Sequence, residues 1–301
     1  MEASANGGAR SADGAEPETS REYFRRPDVV SEYASFDFLL APEQTILEAL
    51  APSLASARML DVGVGAGRTT LHFAPLAGEY VGIDISPDMI EACRTRFDDA
   101  SWNATFAVAD ARDLGRFEPG SFDFVLFSFN GLDTVGGRSD RMAALGEIHR
   151  VCRSGGGFCF SSSNLRFALH RSSVSASLRS YLRRSPGRAL LHPGRLRKIV
   201  DESRRWRRLN PGLRELARAG EGMVVEHRPR YEFSTAFYAS PETRILTEKY
   251  YIDPDKQADQ LLSSGFRDVQ LYGPDGRRTD ERALLQSHPG WWLYYLCAKA
   301  D

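Results

Sequence analysis

A glycine-rich stretch, MLDVGVGAGRTT at residues 59–70, carries the clearest chemical signal in this sequence. An apolar run typical of a strand leads into Gly63, Gly65 and Gly67, and a segment compatible with a helix follows. Glycine lets the backbone approach a ligand closely and turn into a helix N-terminus, where free N–H groups favour negative charge. The pattern therefore predicts a strand–loop–helix site for a small polar ligand.

An acidic residue stands where the next strand should end. Asp84 closes the apolar run of YVGIDIS and follows Gly63 by 21 residues. A carboxylate at this place can accept hydrogen bonds from two ribose hydroxyls. A surface acid without a ligand is the alternative, but the loop and the acid together predict a ligand that contains a nucleoside.

The spacing inside the loop separates two kinds of nucleoside ligand. A dinucleotide fingerprint is GxGxxG or GxGxxA, whereas Arg68 follows Gly67 here and the glycines form GxGxG after Asp61. A carboxylate at Asp61 would repel a pyrophosphate and attract an ammonium group. We therefore expect a cofactor with a cationic amino group in preference to NAD.

A βαβ pattern would position the loop and the acid. Short apolar runs alternate with amphipathic segments, which is typical of a parallel sheet covered by helices. The predicted strands are residues 59–62, 80–84, 105–109, 122–127, 157–162, 267–272 and 292–298. The predicted helices are residues 21–33, 42–54, 87–97, 138–152 and 255–264.

The alternation stops after Asn164, and the charge changes sign there. Residues 1–164 carry 14 basic and 24 acidic side chains, whereas residues 165–232 carry 17 and 6, so the formal net charge of −1 hides two opposite blocks. We predict a disordered tail at residues 1–20, and helices with the cofactor-binding part at residues 21–164. An Arg-rich, mostly helical lid at residues 165–252 would follow the fifth strand, and residues 253–301 would complete the sheet.

Composition excludes several classes of protein. With 42% hydrophobic residues among 301, the chain can bury a sizeable core. Four scattered cysteines, with no CxxC or Cys/His cluster, predict neither a disulfide framework nor a metal site. No apolar run approaches the roughly 18 residues of a membrane span. We expect a cytoplasmic protein without metal or membrane contact; its oligomeric state stays open, with a homodimer as one option.

Five motifs, in order along the chain, resemble those of the class I S-adenosylmethionine-dependent methyltransferases. They are MLDVGVGAGRTT, YVGIDISPDMI, FAVADARDL, FDFVLFSFNGLD and IHRVCRSGGGFCFSSSN. The resemblance is close over residues 58–163 and moderate over residues 253–301. It implies an α/β fold with a Rossmann-like seven-stranded mixed sheet, six strands parallel and one antiparallel, sandwiched by helices. It also implies methylation of a small molecule, of the kind found in secondary metabolism.

The same resemblance implies which residues contact S-adenosylmethionine at the loop. Gly63, Gly65 and Gly67 would pass beneath the methionine and ribose parts of the cofactor. Asp61 would lie near its amino group, and Asp84 would take the ribose hydroxyls.

Further contacts follow from the other motifs in the same way. Ile85 would pack on the adenine, Asp110 and the Ala111 backbone would face the adenine amine, and Phe127 would line the methionine. For Asp110, a turn or helix N-cap is the alternative. Upstream, the segment YFRRPDVVSEYASFDFLLAPE resembles an entry helix, in which Tyr23 and Tyr33 would close over the cofactor or else pack on the core.

Methyl transfer from a sulfonium is an in-line displacement, so the protein must mainly align acceptor and methyl group. A base is needed only where the nucleophile arrives protonated. The candidates are Asn130 and Asp133, just past the fourth strand where open α/β sheets bind ligands, and His227 and Tyr251 near the end of the insertion. Loop capping for Asp133 and core packing for Tyr251 are the alternatives.

Three interpretations of the basic lid stay open. It is a solvated cap, or its arginines hold a carboxylate or phosphate of an acidic acceptor, or it binds RNA. The run RRWRRL offers one tryptophan among arginines, which is thin support for base stacking. We expect a small-molecule acceptor, with an anionic one as the sharper hypothesis. Methylation of RNA or protein is the alternative, and a cofactor-binding module without turnover is another.

Overall fold

The computed structural model describes residues 20–184, 193–209, 212–229, 244–279 and 292–300. The predicted tail at residues 1–20 lies outside these ranges except for Ser20, which begins the first helix. Five parallel strands form the first half of the sheet: β1 (Arg58–Val62), β2 (Glu79–Asp84), β3 (Ala104–Val108), β4 (Phe122–Phe127) and β5 (Cys152–Ser163). Each overlaps the strand predicted for it.

Helices accompany these strands on both faces. They are α1 (Ser20–Tyr23), α2 (Pro27–Ala34), α3 (Ala41–Leu54), α4 (Thr70–Phe73), α5 (Pro87–Arg96) and α6 (Arg138–Val151), with a 3-10 turn at Gly131–Thr134. The helix predicted at residues 21–33 is two helices. The chain breaks there because the residue before Pro27 is disfavoured in helical geometry, and Arg26 is extended.

The segment predicted to form a lid, residues 165–252 and called the lid below, leaves the sheet after β5. Its described part holds α7 (Leu165–Ser172), α8 (Val174–Arg184), α9 (Pro193–Leu209), α10 (Leu213–Ala219), β6 (Glu221–Pro229) and β7 (Arg244–Ile252). Strands β6 and β7 pair antiparallel as a separate two-stranded sheet. The lid is thus helical for most of its described length, with a β-ribbon that the sequence pattern did not indicate.

The chain then returns to the main sheet. Helix α11 (Pro254–Ser263) precedes β8 (Phe266–Tyr272), β9 (Arg278–Thr279) and β10 (Trp292–Lys299). The order of the sheet is β3-β2-β1-β4-β5-β10-β8-β9. Strand β10 runs antiparallel to both β5 and β8, so the seven long strands have the predicted six-to-one arrangement. The predicted count of seven is corrected to eight, because the two-residue β9 adds an edge that is too short to leave a sequence pattern.

Alternate residues of β1 and β2 enter the two apolar layers that enclose the sheet, as strand geometry requires. Leu60 and Val81 belong to the layer under α6 and α11, whereas Met59 and Tyr80 belong to the layer under α3, α4 and α5. Because β1, β2, β4 and β5 run parallel, their carboxyl ends lie at the same edge of the sheet. No described helix combines the length and apolarity of a membrane span.

Candidate active site

The glycine loop after β1 needs glycine at three positions. Gly63, Gly65 and Gly67 have φ angles of 65°, 57° and 85°, a region that side chains rarely tolerate. A Cβ atom on Gly63 would lie 2.9 Å from the Phe127 ring, and one on Gly65 would lie 3.5 Å from Tyr33. Close packing thus fixes the loop between the end of β4 and the N-terminal helices.

Asp84 ties this loop to the end of β2. One carboxylate oxygen accepts from the Gly65 N–H at 2.9 Å, and the other accepts from the Ser86 N–H at 2.9 Å. Burial raises the pKa of Asp84, while these backbone hydrogen bonds favour its ionised form. Each oxygen can accept further hydrogen bonds from a ligand. The carboxylate and the loop, which the sequence predicted to share a ligand, are joined directly by the hydrogen bond from Gly65.

The residues predicted to hold the adenine follow β2 and β3. Ile85 is half-buried and Ala111 is buried. Asp110 accepts from the Arg112 backbone N–H at 2.9 Å and from its guanidinium at 2.7 Å. Those hydrogen bonds hold the pKa of Asp110 below its usual value. Asp110 therefore forms the turn that was named as the alternative. Its contact with adenine stays a prediction.

The two tyrosines predicted to close over the cofactor belong to the cap, residues 20–40. The Tyr33 ring lies 6.2 Å from the Phe129 ring, between centroids, and packs with Tyr23 and Phe24 on the cluster of Val29, Ala66 and Met89. Tyr33 also faces Gly65. Tyr33 therefore lies over the glycine loop and also packs against other residues of the cap.

Asp61 is buried beneath the loop on the β1 face that meets Tyr80. One of its oxygens accepts from the Thr69 hydroxyl at 2.5 Å and from the Tyr80 hydroxyl at 2.6 Å. Burial raises the pKa of Asp61 to about 6, although both hydrogen bonds oppose the shift. Its contact with an ammonium group stays a prediction.

This raised pKa predicts a pH-dependent stability that Asp61→Asn should remove. An acid whose folded-state pKa exceeds its unfolded value stabilises the fold below the unfolded pKa and loses that contribution as pH rises through the folded one. From its ordinary value of 3.8 to about 6, the shift corresponds to about 3 kcal/mol. Urea unfolding should show the variant gaining on the wild type by about that much between pH 4 and pH 7.5. The exposed-site control Asp99→Asn should follow the wild type, and equal pH slopes in both variants would contradict the assignment.

A buried ion pair that sequence analysis did not predict anchors the loop from the other side. Arg68 donates to both oxygens of Glu43 in α3, each at 2.6 Å, and to the Ser128 hydroxyl at 3.1 Å. The Tyr294 hydroxyl of β10 donates to Glu43 at 2.7 Å. Burial would raise the pKa of Glu43, but the hydrogen bonds and charge of Arg68, together with hydrogen bonds from Ser128 and the Leu40 backbone, hold that pKa below its usual value. The pair links α3, the loop, β4 and β10.

The backbone is unusual where β4 ends. Phe129 and Asn130 have φ angles of 55° and 61°, and such strain in residues other than glycine clusters at functional sites. The Asn130 N–H donates to the Ser161 hydroxyl at 2.7 Å. Both polar atoms of the Asn130 side chain are buried without a hydrogen-bond partner in the described structure. Asn130 is therefore ready to bind a polar group.

Asp133, predicted as a catalytic candidate with capping as the alternative, has both carboxylate oxygens hydrogen-bonded to protein groups. Its oxygens accept from Arg141 at 2.9 Å, from the Ser162 hydroxyl at 2.6 Å and from the Ser163 N–H at 2.6 Å. Asp133 and Arg141 are completely buried. This geometry favours a positioning role at the end of β5 over proton transfer.

The two candidates in the lid lie on its paired strands, His227 on β6 and Tyr251 on β7. Tyr251 packs in an apolar cluster inside the lid with Leu165, Leu213 and Val224, which is the packing alternative. His227 lies on β6 opposite Leu246, and only its backbone is described. A catalytic role for either residue stays a prediction.

Tyr250, next to Tyr251, instead faces the sheet and helps to dock the lid. The Arg141 guanidinium lies 4.9 Å from the Tyr250 ring centroid, and the Tyr250 hydroxyl donates to Glu221 at 2.7 Å. Arg141 also donates to Gln257 and Gln260 of α11. Separations of more than 100 residues hide the contacts of Arg141 with Tyr250, Gln257 and Gln260 from any local sequence pattern.

Comparison with known proteins agrees with this site. Residues 59–156 match the family model described as "Methyltransferase domain". A ubiquinone/menaquinone biosynthesis C-methyltransferase of Geobacter sp. (strain M21) is 38% identical over 104 residues, which is 33% of this chain and 42% of that protein. A ubiquinone biosynthesis O-methyltransferase of Xanthomonas euvesicatoria is 35% identical over 72 residues, 24% of this chain and 30% of that protein.

Solved structures extend the likeness to the fold of most of the chain. The CcbJ methyltransferase of Streptomyces caelestis has a TM-score of 0.54 at 14% identity, covering 87% of this chain and 90% of that one. A phosphoethanolamine N-methyltransferase 2 of Haemonchus contortus, solved with S-adenosylhomocysteine, has a TM-score of 0.54 at 16% identity, covering 93% and 60%.

The alignments with the curated relatives described above cover less than half of the length of those proteins. Residues 59–156, which match the family model, contain the glycine loop, Asp84, Asp110 and the end of β4. Residues 59–156 thus match a methyltransferase domain, and the motifs and the sheet order agree with that match.

Proposed function

We propose that this chain transfers the methyl group of S-adenosylmethionine to a small-molecule acceptor by in-line displacement. The observation that carries the proposal is the hydrogen bond between Asp84 and the Gly65 N–H. It joins the carboxylate that would bind the ribose to a glycine loop whose backbone can approach a ligand closely. The bound cofactor supplies an electrophilic methyl on a sulfonium. The chain's own task is to hold cofactor and acceptor aligned.

The residues around the loop fit this cofactor. Asp84 would accept from the ribose hydroxyls, and the backbone of Gly63, Gly65 and Gly67 would lie beneath the ribose and methionine. Ile85, Asp110 and Ala111 would hold the adenine. Tyr23 and Tyr33 would cover the site from the cap, and Phe127 would line the methionine side.

The lid supports a small acceptor more than RNA. On α9, Arg197 pairs with Asp201 and Lys198 with Glu202, at 3.9 and 4.0 Å, and these side chains are largely exposed. Such intrahelical pairs are typical of a solvated helix face. The relatives named for ubiquinone biosynthesis also act in small-molecule pathways by their names. Since the four cysteines are free thiols, we place the activity in the reducing cytoplasm.

Transfer of a labelled methyl group tests this proposal. The purified protein, incubated with tritium-labelled S-adenosylmethionine and a cell extract, should place label in the low-molecular-weight fraction. RNA and protein fractions should carry no more label than a control with Asp84→Ala. Label that partitions into RNA, and is lost steeply as salt rises, would instead establish the alternative.

A further inference from the structure

Three consecutive backbone carbonyls of the cap accept hydrogen bonds from side chains outside it. They belong to residues 36–38, called the strap below, which lie between α2 and α3. The donors are Arg96 to the Phe36 carbonyl at 2.9 Å, the His72 imidazole to the Asp37 carbonyl at 2.8 Å, and Arg68 to the Phe38 carbonyl at 2.9 Å. These bonds fix the irregular strap against the elements beneath it.

Arg96, the last residue of α5, also reaches into the glycine loop. Its second terminal nitrogen donates to the Ala66 carbonyl at 3.1 Å. One turn earlier on the same helix, the Cys93 thiol donates to the Gly65 carbonyl at 3.1 Å. Because a guanidinium is a planar fork with several donors, a single side chain joins the loop to the strap.

Aromatic rings lead from the strap back to the loop. The buried Phe36 ring lies 5.3 Å from the Tyr33 ring, between centroids, and Tyr33 faces Gly65. The contacts therefore form a closed circuit from Gly65 and Ala66 through Arg96 and Phe36 to Tyr33. The position of the strap sets the position of Tyr33 over the loop.

The cap docks along α5 from one end of that helix to the other. At the first end, the N-cap residue Ser86 donates from its hydroxyl to the Phe24 carbonyl at 2.8 Å. In between, Met89 packs with Val29 of the cap. At the last end, Arg96 holds the strap. Opening of the cap beside the strap therefore requires the bond between Arg96 and Phe36 to break.

We infer that Arg96 is a positioning residue that holds the cap closed over the bound cofactor and so sets how fast the cofactor enters and leaves. The inference rests on the proposed function and concerns cofactor exchange at the same site. Arg96 acts through Phe36 and Tyr33 rather than by touching the cofactor. Lid opening and product release limit the turnover of many enzymes, so this contact bears on turnover as well as on binding.

The exchange rates of S-adenosylhomocysteine test this role. In Arg96→Gln, the loss of charge-assisted hydrogen bonds to two carbonyls should raise both the off-rate and the on-rate by more than about fivefold, while the dissociation constant changes by less than about threefold. Chase of tritium-labelled ligand gives the off-rate, calorimetry gives the dissociation constant, and their ratio gives the on-rate. Arg96→Lys keeps the charge and can bond one carbonyl, so its rates should be intermediate; it decides the question if Arg96→Gln does not fold.

Two further variants separate a positioning role from a general effect on the fold. Arg94 lies on the same helix and donates to the Phe106 carbonyl of β3 at 2.9 Å, so Arg94→Gln should leave both rates within about twofold. In Tyr33→Ala protein, Arg96→Gln should change the off-rate by less than about twofold, because the ring through which Arg96 acts is missing.

Unchanged rates in both Arg96 variants, a rise in the off-rate alone, or the full effect of Arg96→Gln in Tyr33→Ala protein would overturn the inference. In each of these cases the wild type still binds S-adenosylhomocysteine, so the proposed function stands. Failure of the wild type to bind that ligand would overturn the proposed function instead.

Discussion

Replacing Asp84 with alanine should weaken binding of S-adenosylhomocysteine by more than tenfold. The Asp84 carboxylate would accept hydrogen bonds from two ribose hydroxyls, and alanine cannot accept them. A hydrogen bond to a charged group contributes about 1.5–3 kcal/mol. The change also frees the Gly65 N–H, which Asp84 holds at 2.9 Å, so the loop loses a constraint. Isothermal titration calorimetry measures the effect.

Two controls define the meaning of that result. Asp99→Ala removes an exposed acid that lies beyond α5 and should leave the affinity unchanged. Asp84→Asn keeps the shape and one acceptor oxygen, so it should retain more affinity than alanine. An affinity that falls by less than about threefold in Asp84→Ala would mean that other groups hold the ribose.

Replacing Arg141 with methionine should lower the free energy of unfolding by about 3–5 kcal/mol, because it leaves the buried Asp133 carboxylate without its cation. Arg141 is completely buried and reaches Asp133 at 2.9 Å. It also packs on Tyr250 of the lid, so we expect the lid to loosen as well. Urea unfolding gives the free energy, and limited proteolysis within the lid reports the loosening.

A neighbouring arginine on the same helix provides the matched control. Arg138 pairs with Glu221 at 3.2 Å, but its side chain is 63% exposed, and such pairs contribute about 0–1 kcal/mol. Arg138→Met should therefore cost little. The double variant Arg141→Met with Asp133→Asn should recover part of the loss. Equal losses in Arg138→Met and Arg141→Met would contradict the role of the buried pair.

Sequence patterns predicted the features that depend on local order. The βαβ alternation and the glycine loop arise from neighbouring residues, and Asp84 stands at a fixed offset from that loop. The strand predicted at residues 122–127 coincides with β4 (Phe122–Phe127). The cap helix predicted at residues 21–33 instead breaks before Pro27, where proline sterics outweigh the helical pattern.

The polar interior could not be predicted in this way. Glu43 and Arg68 are 25 residues apart, and Arg141 and Gln260 are 119 apart, so only the tertiary fold brings them together. Lys249 lies in a segment with no recognised strand pattern, and the ribbon that places it near Trp292 forms through pairing with β6. Burial and charge pairing, rather than periodicity, decide these contacts.

The measurement that tests the central claim most directly is calorimetric titration of the wild-type protein with S-adenosylhomocysteine and, separately, with NADH. The GxGxG spacing after Asp61 and the carboxylate of Asp84 predict saturable binding of S-adenosylhomocysteine and no heat of binding with NADH. Saturable binding of NADH, without binding of S-adenosylhomocysteine, would contradict the account.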